Sequence, residues 1–112
     1  MNDSKMSKQM RNEIHSLAIK AHEEELRRAL FILSEKFDQW KIGSRTSIDL
    51  TEDIHTFHSR DARNIFNRYE PSFEEMSVAM AIATGILNSE SIPTDVREVL
   101  KLEIENFKEK NE

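Results

Sequence analysis

A chain of 112 residues is the size of one domain, and 38% hydrophobic against 33% charged residues is polar but sufficient for a core. Two glycines and two prolines leave room for few turns, which excludes turn-dense sandwiches and barrels, and the absence of cysteine excludes disulfides, cysteine-ligated zinc and thiol catalysis. A net charge of −5 gives no general attraction to nucleic acid or to anionic membranes.

The first predicted helix runs from about Ser4 to Ile42, with Gly43 placed to stop it in the left-handed conformation. It carries two apolar stripes. Met6, Met10, Ile14, Leu17 and Ala21 form one, and Leu26, Leu30, Leu33, Phe37 and Trp40 form the other. At 100° per residue the two point about 140° apart. Either the helix breaks near His22-Glu23-Glu24-Glu25, or its N-terminal half packs on something else. Unbroken, it spans ~57 Å, so the N-terminal half is expected to project from the bundle with its stripe bare. Bare stripes are usually covered by a partner. A homodimer through Met6, Met10, Ile14 and Leu17 is therefore expected, with a frayed segment over residues 1–12 as the alternative.

A second helix is predicted from Thr46 or Ser47 to Tyr69, where Pro71 stops it. Thr46 with Asp49 resembles a capping box, and Ser72-Phe73-Glu74-Glu75 is a cleaner one. The latter opens a third helix from about Phe73 to Asn88. It is apolar nearly all round, with small residues Ala79, Ala81, Ala83 and Gly85, and reads as the central helix. Pro93 marks a fourth start, with Val96, Val99, Leu100, Ile104 and Phe107 as its inner face and a solvated tail over 108–112. The longest apolar run, 78–87, is far short of the ~20 residues of a membrane span, and the N-terminus has no signal-peptide core. The expectation is one all-α domain over residues 1–112: a helical bundle of about four helices with a long N-terminal helix, cytoplasmic and without a membrane.

The stretch EDIHTFHSRDAR, residues 52 to 63, holds the candidate site residues. On a straight helix His55, His58 and Asp61 fall inside the apolar arc with Leu50, Phe57 and Ile65, while Arg60 and Arg63 point away from it. A carboxylate on an apolar face is costly unless paired. Two solutions are open: a His58–Asp61 hydrogen bond, or a helix break at Ser59. Glu52-x-x-His55 has the spacing of carboxylate-bridged di-iron bundles, and His55, His58 and Asp61 continue along one side, so Glu52, His55, His58 and Asp61 are the metal candidates. Only one such pair occurs, and in an antiparallel hairpin across Gly43 His22 lies near Tyr69, more than ~12 Å along the axis from His58. Structural histidines are the favoured reading. Arg60 and Arg63 are candidates for a phosphate or a partner carboxylate, but the overall acidity argues against nucleic acid. There is no phosphate loop and no nucleophile elbow. No cofactor, catalytic residue or enzymatic activity is expected.

Phe37-Asp38-Gln39-Trp40-Lys41-Ile42-Gly43, then Leu50, Ile54-His55-x-Phe57-His58, Arg63 and Tyr69, resembles a group of small uncharacterised bacterial proteins with an F-x-x-W-x-x-G, L-x-x-x-I-H-x-F-H, R, Y signature. The resemblance covers residues 37 to 69. It implies a bacterial cytoplasmic protein and transfers no role to any residue.

Overall fold

The structure, a computed structural model, describes residues 6–110. Ser7 begins the first helix, α1 (Lys8–Lys41), its Oγ accepting the Met10 amide at 3.0 Å. Gly43, at φ 85°, ends that helix. The Ser44 amide reaches back to the Gln39 carbonyl and the Gly43 amide to Trp40, a Schellman motif that a side chain at residue 43 would strain. The chain then reverses. Thr46 caps α2 (Ser47–Thr56) by accepting the Asp49 amide, and Arg45 grips Asp53 through both carboxylate oxygens at 2.5 and 2.8 Å. That hydrogen-bonded cation holds the Asp53 carboxyl below its ordinary range.

A five-residue π turn, Phe57–Asp61, joins α2 to α3 (Ala62–Arg68), so the second rod is continuous. Glu70 then accepts the Ser72 amide at 3.0 Å and starts a short 3-10 turn before α4 (Glu74–Ala83). Ser72 is thus not the cap that its spacing suggests. Gly85, at φ 82°, closes α4, so the central helix ends at Ala83 and not near Asn88. The last rod is α5 (Thr94–Val99) and α6 (Lys101–Lys110), with Pro93 before it as expected. Every regular element among the described residues is helical. None of these helices is long and apolar enough to cross a membrane.

The core forms where α4 packs on both α1 and α6. Met10, Ile14, Ala18 and Ala21 of α1 are buried against a set that includes Val78, Ala79, Ala81, Ile82, Val96, Leu100 and Ile104. This settles the two-stripe problem. The helix does not break at His22–Glu25, and each stripe has its own intramolecular neighbour. It also corrects the expected partner surface. Met10 and Ile14 are buried and Met6 and Leu17 half-buried, all covered by this chain's own helices. Residues 8–12 are helical, and residues 1–5 and 111–112 lie outside the described residues. The end that projects is the other one. Ten-residue α4 covers only the N-terminal half of 34-residue α1, and the rest runs on with α2 as a two-helix arm. The principal extents are 58 × 25 × 22 Å.

Leu100, 1% exposed, is at the centre of this packing. Leu100→Ala is expected to lower unfolding free energy by about 2–5 kcal/mol in urea titrations, while Leu102→Ser, two residues on in α6 and 72% exposed, changes it by less than about 0.5 kcal/mol.

Candidate functional site

The π turn decides which side chains face α1. On an uninterrupted helix Ile65 and Tyr69 fall about 60° and 100° away from Leu50. One extra residue in a turn sets the phase back by about 100°. That returns Ile65 and Tyr69 to the line of Leu50 and Phe57, and Leu50, Ile65 and Tyr69 are all buried. Neither expected solution for Asp61 occurs. The backbone does not break at Ser59, whose Oγ donates to the His55 carbonyl at 2.8 Å. Asp61 does not pair with His58. It sits half in solvent, 3.5 Å from Arg60 Nε. The buried-carboxylate problem came from assuming a straight helix.

Tyr69 organises the wall where α3 meets α1. Its hydroxyl donates to Glu25 Oε2 at 2.5 Å, and Arg68 Nη2 holds Glu25 Oε1 at 2.5 Å. The Glu25 side chain is only 10% exposed, and this cation and this hydroxyl occupy its two carboxylate oxygens. Burial, then the Glu25 bond and charge, push the Tyr69 phenol well above its ordinary range. His22 stacks on Tyr69, with ring centroids 5.2 Å apart and planes 6° from parallel, and presents its edge to Phe66 at 6.2 Å.

Beside this wall a groove of ≈ 510 Å³ runs between α1 and the π turn with α3. Leu26, Ala62 and Phe66 supply its apolar surface; His22, His58, Ser59 and Arg63 supply its polar groups. Five-residue spacing in a π turn sets His58 and Arg63 on one side. Among the described residues neither has a hydrogen-bond or ion-pair partner, although the chain carries a net charge of −5. A second depression, ≈ 350 Å³ around Met6, Ile14 and Phe73, differs in this respect, because its Arg11 already donates to the Met6 carbonyl at 3.0 Å.

The sequence-marked residues are therefore divided. His58 and Arg63 come together in the groove; Arg60 is bonded to Asp61 elsewhere on the turn. Glu52 and His55 are exposed on α2. No group of three or more His, Asp or Glu side chains among the described residues is placed to hold a metal ion. The expected Glu52, His55, His58 and Asp61 set thus does not converge. His22 was correctly placed beside Tyr69 by the hairpin register; its share in the groove with His58 was missed. His15, the remaining histidine of α1, binds Glu74 at 2.6 Å. No protein family, curated protein or solved structure matches the chain.

Tyr69 is the chain's single tyrosine, so tyrosinate absorbance reports it alone. In the folded protein the phenol is expected to ionise well above pH ~10, and in urea near its ordinary value of ~10. The raised folded value means its contribution to stability is complete below pH ~10 and is lost as pH rises past that point. Tyr69→Phe is expected to remove this alkaline decline; titration of the folded protein at the ordinary value would contradict the arrangement.

Proposed function

We propose that the chain is a non-enzymatic, cytoplasmic interaction module that works as a homodimer, with the α1–α2 arm as the dimerising element. The observation that supports this reading is the bare apolar surface of the arm. Leu30, Phe31 and Ile32 are consecutive and exposed, Phe31 to 63%. Consecutive residues differ by 100°, so these three spread over some 200° of the helix. Ile42 and Ile48 flank the turn, 81% and 73% exposed, and Trp40 and Ile54 lie between.

A flat partner covers one side of a rod. An arm that is apolar on several sides is buried when it lies between other helices. A second copy provides this by symmetry: each arm packs along the other, and one set of residues serves as both donor and acceptor surface. Side chains of this size, about half bare, together offer an area on the order of the ~800 Å² that one side of a standard interface removes from water. Monomeric proteins rarely leave so much apolar surface contiguous and uncovered.

Light scattering at tens of micromolar is expected to give twice the chain mass. A Phe31→Glu, Ile32→Glu double variant is expected to give the single-chain mass with unchanged helical circular dichroism. A monomeric wild-type protein at that concentration would overturn the proposal.

A further inference from the structure

We propose that the groove at the π turn binds a monocarboxylate carried on a linear apolar body, the chemistry of a fatty-acid anion. The inference stands apart from the dimer, because it rests on the groove and not on the arm. Its volume, ≈ 510 Å³, lies within the ~300–1,000 Å³ range of small-ligand sites. Its surface separates by chemistry. Arg63 and His58 stand on one side of the π turn, and Leu26, Ala62 and Phe66 continue the surface towards His22.

Arg63 is the informative residue. An acidic chain has many carboxylates with which to neutralise an arginine, yet this one has no such partner among the described residues and lines an apolar groove. The guanidinium fork matches a carboxylate through two parallel hydrogen bonds. His58 supplies a further ring nitrogen beside it. A single permanent positive charge suits a monoanion better than a phosphate dianion, and the apolar surface rejects a sugar or a nucleotide body. The far wall is rigid before any ligand arrives: His22 is stacked on Tyr69, and Tyr69 is tied through Glu25 to Arg68. Pre-set walls lower the ordering cost of binding. The π turn fits the same reading, since such turns in helices are frequent at functional sites. From Phe66 back to His58 the lining spans roughly 12 Å of the rod, so an extended body fits along it.

The test uses the full chain with decanoate as probe, and decanol and inorganic phosphate as controls, followed by nuclear magnetic resonance shifts of side-chain and backbone groups. Decanoate is expected to bind more tightly than decanol and to shift signals of His22, His58, Arg63 and Phe66. Arg63 is exposed, so Arg63→Gln is expected to fold normally, to weaken decanoate by roughly tenfold and to leave decanol unchanged. The Phe31→Glu, Ile32→Glu arm variant is expected to bind decanoate as the wild type does. Equal affinity for decanoate and decanol, indifference to Arg63→Gln, or shifts centred on Leu30 to Ile54 would each overturn the proposal. Phosphate binding as tightly as decanoate would overturn it too, by making the groove a phosphate site.

Discussion

The close approach of α1 and α4 is the contact on which the other features depend. Ala18 and Ala21 on one helix meet Val78, Ala79 and Ala81 on the other, and all five are 0–4% exposed. Small side chains let helix axes come near the lower end of the usual 8–10 Å separation. Burial of this seam, with α5 and α6 closing over it, supplies the hydrophobic contribution that a short chain needs. Because α4 is ten residues long and α1 is 34, the covered length is ~15 Å against ~51 Å. The projecting arm is therefore a consequence of unequal helix lengths around one tight seam.

The second rod answers a different constraint. It must keep one face on α1 for its whole length, from Leu50 to Tyr69, and a straight helix drifts out of phase over that distance. The π turn corrects the drift with one residue. In doing so it separates two arginines that sequence spacing groups together, leaving Arg60 beside Asp61 and Arg63 in the groove. A packing correction and a binding surface thus have the same origin. The Glu25, Arg68 and Tyr69 network then fixes the end of this rod on α1, with the His22 ring against it.

Much of the architecture was legible because it depends on local rules. Helix stops at Gly43 and before Pro71, the Thr46 cap and the hairpin register that brought His22 to Tyr69 all follow from neighbouring residues. The face of Ile65 and Tyr69 was not legible in the same way. A π turn has no distinctive residue signature, and it forms here because the flanking faces are both held by α1. The Ser72 spacing misled for a related reason: Glu70, two residues earlier, accepts the Ser72 amide that Glu75 would take in a capping box.

The sequence by itself determined that the chain is all-helical, where most of its turns fall, and that α1 carries two stripes too far apart to serve one neighbour. These are consequences of periodicity and of glycine and proline stereochemistry, which act within a few residues. Only the tertiary structure decided how completely each stripe is covered. Met10 and Ile14 lie in the core while Leu30 and Phe31 lie bare, because α4 returns to the N-terminal half of α1, and the length and placement of a returning helix are not local properties. The same holds for residues 52 to 63. Their composition marked them as a candidate, but the phase set by packing against α1 chose His58 and Arg63 for the groove and sent Glu52 and His55 to the surface.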